Sequence, residues 1–291
     1  MKNTKILIIG AEGMLGHVVK TYFKEKGYEV VYTTRREEDS NLYFNISDTV
    51  TGIEPIIKEV KPDVLINCTG ILNKAAEEHK ALAILINSYL PHYLDELSAK
   101  YGFKFIHVST DCVFNGKVGG YNEDSIPDET SMYGRTKALG EVINDRSVTL
   151  RTSIVGPDIN EDGIGLFKWF MDQEGEVGGY DKVLWTGVTT IWYARCMEMA
   201  IENNLVGLHH CVNNETISKY DLLVLFKKYF NKDITINHNP DVESKKTLVR
   251  TAKSFDFGIP SYEEMIKDMR EWVIEHKEMY PDLIKKMDLE K

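Results

Sequence analysis

Short apolar runs alternate with amphipathic stretches through the first half of this chain. Ile6-Leu-Ile-Ile9 is an unbroken apolar run between Lys5 and Gly10, as in a parallel strand buried on both faces. Similar runs at residues 29–34, 63–67 and 104–109 predict further strands. Between the first two, Val18, Val19, Tyr22 and Phe23 fall at helical spacing, with Gly27 as the stop. Residues 75–101 read as helical. The alternation continues to about residue 155 and predicts an α/β fold, a doubly wound parallel sheet with right-handed crossovers. Beyond it the rhythm loosens. Residues 157–163 read as loop and 175–179 as a turn; helical pattern returns over 192–203, 218–230 and 262–279. Phe167-Lys-Trp-Phe170 reads as core rather than as a cover for a ligand. The expected organisation is a sheet domain over residues 1–155 and a smaller C-terminal lobe over 156–291. Some elements of that lobe return to the sheet, and others cap the carboxyl edge of the strands, where open α/β sheets bind ligands.

Composition narrows the function classes. The 291 residues are 43% hydrophobic, enough for a sizeable core. No apolar run approaches the roughly 18 residues of a membrane span. The first apolar stretch runs straight into a glycine turn and reads as a strand, not an export signal, so the expected location is cytoplasmic. A net charge of −10 argues against nucleic acid or anionic membrane as partner. Cys68, Cys112, Cys196 and Cys211 lie far apart without a CxxC pair, so neither a metal site nor a disulfide framework is expected.

Two motifs carry chemistry. Gly10-x-x-Gly13-x-x-Gly16 follows a strand and opens a helix. Gly10 allows the tight turn, Gly13 lets the backbone approach a pyrophosphate, and Gly16 permits close packing, with the helix N-terminus facing the phosphates. The second strand ends in Thr33-Thr-Arg35-Arg36. An acidic residue there would hold the ribose 2′-hydroxyl of NAD; two arginines instead favour the 2′-phosphate of NADP(H). Downstream, Thr110 ends a strand, and Tyr133 and Lys137 share a helix face at i, i+4. An ammonium beside the phenol brings its pKa, ordinarily about 10, toward working pH and makes Tyr133 a proton donor to a developing alkoxide.

On these residues, with Ser109-Thr-Asp-Cys-Val-Phe114, Tyr121-x-Glu123, Tyr133-Gly-Arg-Thr-Lys137, Gly140-Glu141 and Arg151-Thr-Ser153, the chain resembles an extended short-chain dehydrogenase/reductase of the dTDP-4-dehydrorhamnose reductase group. The match is close over about residues 5–155 and looser beyond. The resemblance implies a Rossmann-type fold and a Thr110–Tyr133–Lys137 triad reducing a nucleotide-linked 4-keto-6-deoxyhexose with NADPH. It further implies cofactor contacts from Gly10, Gly13, Met14, Leu15, Gly16, Arg35, Arg36, Asn45, Ile46, Cys68, Thr69, Gly70, Asn87, Tyr133 and Lys137. Substrate contacts would come from Lys74, Thr110, Asp111, Cys112, Ser153 and Ile154. Ile154 stands where the group usually has an aromatic against the sugar, and Asn45 where it has an acidic residue near the adenine. Thr69-Gly-Ile-Leu72 and Trp169-Phe170 are similar to relatives acting on UDP-linked N-acetylated sugars.

Lys245 and Lys246, with Lys168 and Arg250, are candidates for the substrate diphosphate; the other reading is a solvated surface patch. Three alternatives stay open at this point. Dehydratases of the superfamily carry Thr-Asp-Glu where this chain has Thr110-Asp111-Cys112, and a thiol is a poor substitute for that carboxylate. A bifunctional epimerase–reductase shares the motifs. The regulatory subunit of methionine adenosyltransferase also resembles this group, which leaves a non-catalytic NADP-binding module. A homodimer is left open.

Overall fold

The computed structural model describes residues 3–35 and 42–287. Seven parallel strands form its central sheet among these residues. In chain order they are β1 (Lys5–Ile9), β2 (Glu29–Thr34), β3 (Leu42–Tyr43), β4 (Val64–Asn67), β5 (Lys104–Thr110), β6 (Val148–Thr152) and, much later, Gly207–His210. Their spatial order runs from Gly207–His210 through β6, β5, β4, β1 and β2 to β3. The order reverses beside β1, the switch point at which doubly wound sheets bind ligands.

The strand pattern explains the layers. Ile6 and Ile8 face one cluster and Leu7 and Ile9 the other, as the two-residue period requires. Helices α1 (Gly16–Glu25) and α2 (Ile53–Val60) cover opposite faces: Val18, Val19 and Phe23 pack with Ile6 and Ile8, while Ile53 and Ile57 pack with Leu7 and Ile9. Full burial of each such side chain contributes roughly 1.5–3 kcal/mol.

The segment expected as one helix over 75–101 is broken. It runs as α3 (Asn73–Glu78), α4 (Lys80–Ala83), a π-helical stretch at Ile84–Tyr89 and α5 (Leu90–Tyr101). The π stretch carries Asn87, whose amide bridges to the loop after β4. Next comes α6 (Met132–Leu139), capped by the Ser131 hydroxyl on the Gly134 amide.

The C-terminal half adds β7 (Ile154–Val155), α7 (Leu166–Asp172), β8 (Glu176–Trp185), β9 (Val188–Thr189) and α8 (Thr190–Glu202). Then follow β10 (Gly207–His210, the seventh sheet strand), β11 (Ile217–Ser218), α9 (Lys219–Tyr229), β12 (Thr235–Lys245), α10 (Tyr262–Glu275) and α11 (Pro281–Lys286). β8 lies between β11 and β12 in a second, three-stranded sheet. Phe167 and Phe170 are buried in the core with Phe226, whereas Trp169 is exposed.

The turn expected at 175–179 is shorter than its glycines suggest. Gly175 turns, with φ +71, but Gly178 and Gly179 lie inside β8. A Cβ on Gly179 would stand 2.7 Å from the Tyr220 ring, so the glycine there serves the packing of α9. No helix among the described residues is long and apolar enough to cross a membrane. All four cysteines are free thiols.

Candidate active site

The glycine turn behaves as its spacing predicts. Gly10 has φ +82, and a Cβ on Gly16 would lie 2.0 Å from the Gly10 carbonyl oxygen. Gly13 is exposed, with only that carbonyl near its Cβ position, so its backbone is open to a ligand. No side chain caps α1, which leaves its N-terminus available to a phosphate. A dinucleotide therefore fits here. Met14 lies against Gly165, while Leu15 is buried in the core. Arg35 follows β2 and is exposed; Arg36 lies outside the described residues.

Several of the other expected cofactor contacts have structural duties. Asn45 spends its carboxamide in a local turn, on the Ser47 amide and Asp48, and Ile46 is buried in the core. The Asn87 side chain is saturated by the Ile71 backbone and the Thr136 hydroxyl, so it positions the loop after β4 rather than facing a ligand. In that loop Thr69 donates to Asn67, the Cys68 carbonyl carbon sits beside Gly10, and Gly70 is exposed. Burial pushes the Cys68 thiol up to about 12.

Thr110, Tyr133 and Lys137 come together at the carboxyl end of β5. The Thr110 hydroxyl donates to Asp111 (3.1 Å) and accepts from the Cys112 amide (3.1 Å). Lys137, on α6, is buried and donates its ammonium to the Val108 carbonyl (2.6 Å). Burial pushes Lys137 down to about 8.

The expected lowering of the Tyr133 phenol by Lys137 is not what the structure displays. Burial raises it well above its usual value, Cys112 and Asp111 raise it further, and the Thr110 hydroxyl is the neighbour that opposes the rise. Held by the Val108 carbonyl, the ammonium is not among the groups acting on the phenol. Tyr133 thus keeps its proton, as a donor must.

The remaining motif residues build a frame behind the triad. Arg151 makes a buried two-pronged pair with Glu141 (2.8 and 2.5 Å), and Glu141 also accepts from Ser109 (2.6 Å). Arg151 donates to His210 Nε2 (3.0 Å) and lies over Phe114, which stacks on Tyr121. The Glu123 carboxylate accepts from the His210 and Thr251 amides. These residues lock β5, β6 and β10 together.

The proposed substrate residues divide. Asp111 is buried, and burial raises its pKa against the pull of Lys219. Cys112 follows it, its thiol pushed up to about 12 by burial and Asp111. Ser153 and Ile154 are half-buried, in line after β6.

Lys74 is a surface residue paired with Glu78. Lys245 pairs with Glu243 on the edge strand β12, and Arg250 pairs with Asp256. Lys168 pairs with Asp172 beside a cavity of about 430 Å³ between residues 157–161, α7 and α11, away from the triad. Of the basic candidates Lys246 alone reaches the turn after Thr110, where it feels Asp111 and Cys112 while paired with Glu129 (2.7 Å). Lys219 reaches the same turn, and nothing in its sequence surroundings signals it. Only the fold brings residue 219 to residue 111.

Residues 4–254 match the family described as RmlD substrate binding domain. Among curated proteins, the chain is 26% identical over 245 residues to methionine adenosyltransferase 2 subunit beta of Xenopus tropicalis, covering 78% of this chain and 72% of that one. It is 34% identical over 156 residues, 51% of either chain, to the dTDP-4-dehydrorhamnose reductase of Aggregatibacter actinomycetemcomitans. Among solved structures, the dTDP-4-dehydrorhamnose reductase of Bacillus anthracis in complex with NADP superimposes with a TM-score of 0.77 at 20% identity, over 92% of this chain and 98% of that one.

Proposed function

Because the chain belongs to the RmlD substrate-binding-domain family, we propose that it is an NADPH-dependent reductase of a nucleotide-linked 4-keto-6-deoxyhexose. The observation that carries this reading is the meeting of the Thr110 hydroxyl, a protonated Tyr133 phenol and a buried Lys137 ammonium at the carboxyl end of β5. The glycine turn of the same sheet supplies the dinucleotide cradle, and the relative from Bacillus anthracis is an NADP complex. When bound, the nicotinamide supplies the hydride.

The residues of the chain manage the oxygen. Thr110 orients the carbonyl by turning its hydroxyl from Asp111. Tyr133 gives its proton to the alkoxide as charge develops. Lys137, fixed by Val108, holds a positive charge beneath the site and is placed to bind the nicotinamide ribose. Arg35 favours the 2′-phosphate of NADPH.

The test is oxidation of NADPH by purified protein with UDP- and dTDP-linked 4-keto-6-deoxyhexoses. Turnover with either supports the reading; none with either, from folded protein, rejects it.

The likeness to methionine adenosyltransferase 2 subunit beta over 78% of the chain favours a second reading, a dinucleotide-binding regulatory subunit. Absence of turnover, together with a stable complex with an enzyme partner, would select it.

A further inference from the structure

Lys219 opens α9, directly behind its Ser218 cap. Its ammonium lies over the Trp185 indole, 5.5 Å from the ring centroid. Asp111 and Cys112 both act on it electrostatically, which places it at the turn following Thr110. Among the described residues it makes this cation–π contact and closes no ion pair or hydrogen bond. Trp185 is itself 3% exposed, and its indole N–H has no partner.

Lys246 arrives from the other side, anchored on Glu129. Gly116 makes room for it: a Cβ there would lie 2.8 Å from the Lys246 side chain. Two ammonium groups thus act on one carboxyl, Asp111, whose ionisation burial opposes, and the Lys219 ammonium lies over the ring of the buried Trp185. A buried donor without an acceptor is costly, so a ligand that brings an acceptor to it gains affinity. Lys246 is paired with Glu129, which leaves the Lys219 ammonium as the cation at this turn without an ion pair among the described residues.

We propose that Lys219 is a substrate-binding residue that, together with Lys246, holds the phosphate on the anomeric carbon of the sugar. The proposal rests on the reductase reading, and the geometry suits it. In this proposal the anomeric phosphate, across the sugar ring from a carbonyl at Thr110 and Tyr133, lies on the side of Asp111, Cys112 and the two lysines. A neutral hydroxyl would need one donor, not two cations.

Lys219→Met keeps the aliphatic stem on Trp185 and removes the charge. Titration with UDP, dTDP and NADPH separates the outcomes. The expected result is a loss of about tenfold or more in nucleoside diphosphate affinity, the scale of one charge-assisted hydrogen bond. NADPH affinity should be unchanged, KM for the keto-sugar should rise more than kcat falls, and Lys219→Arg should recover most of the loss.

Equal UDP and dTDP affinities in wild type and Lys219→Met overturn the proposal and leave the reductase reading standing. So does a fall in kcat with KM unchanged, which would put Lys219 at the chemistry. Wild-type protein that binds NADPH but neither nucleoside diphosphate overturns both. Should Lys219→Met fail to fold, Lys219→Gln carries the same comparison.

Discussion

The surroundings of Tyr133 suit it to the role of proton donor proposed for it. Burial, Cys112 and Asp111 all keep the phenol protonated, so its proton is available throughout the neutral range. Tyr133→Phe should fold and bind NADPH yet lose roughly 10²–10⁴-fold in kcat, the span of a positioned acid; steady-state rates with matched cofactor titrations check this. Lys137 titrates earlier, near 8, because burial disfavours its charge. Arg35 is exposed just after β2, where the proposed reading has it meet the 2′-phosphate. Arg35→Ala should lower NADPH affinity by about tenfold, the loss of one charge-assisted contact, and leave NADH affinity unchanged. Equal weakening for both cofactors would show that Arg35 does not read the phosphate.

The glycine turn tolerates no side chain at its third position. In Gly16→Ala the new methyl would meet the Gly10 carbonyl, a backbone atom that cannot swing aside. The expected loss is roughly 3 kcal/mol or more, the upper range for overpacking, read as a lower urea midpoint. This turn was legible in the sequence because its requirement is local: three glycines between an apolar run and a helical period. So were β1, β2, β4 and β5, each a short apolar run, and the Tyr133–Lys137 face, written in a four-residue spacing. Features made by tertiary contact were not. The break at Ile84–Tyr89 depends on Asn87 bonding a loop 16 residues away. Gly179 looked like a turn because the Tyr220 ring that needs its space comes 41 positions later. Arg151 and Glu141 appeared as motif residues of unstated purpose, and their buried pairing gives the purpose. Lys245 and Lys246 looked equivalent side by side, but Lys245 ends β12 and pairs with Glu243, while Lys246, just beyond the strand, pairs with Glu129.

Burial also sets how the whole protein responds to acid. His17, His107, His209 and His210 all have lowered pKa values, with desolvation the leading cause in each. For His210 the value falls to about 4; Arg151 adds to the lowering and Glu123 opposes it. The unfolded chain takes up these protons near pH 6.5 and the folded one does not, so stability is lost as pH falls from about 6.5 toward 4. Urea midpoints should drop across that window, and the drop should shrink in His210→Gln. A flat profile would show that these rings accept protons in place.

The strand β10 carries a different consequence. It closes the free edge of β6, and it is made 55 residues after β6 ends, with β7, α7, β8, β9 and α8 in between. During synthesis, therefore, the glycine turn, Thr110, Tyr133 and Lys137 are all outside the ribosome while the sheet still shows an open, hydrogen-bond-hungry border. The Arg151 guanidinium waits just as long for the His210 ring it donates to. The first 155 residues carry the expected dinucleotide cradle and triad, yet they depend on residue 210 to finish the sheet beneath them. Until β10 pairs, β6 is the border strand of the nascent sheet, and the longer the chain takes to reach residue 210 the longer that border stays open to edge-to-edge pairing.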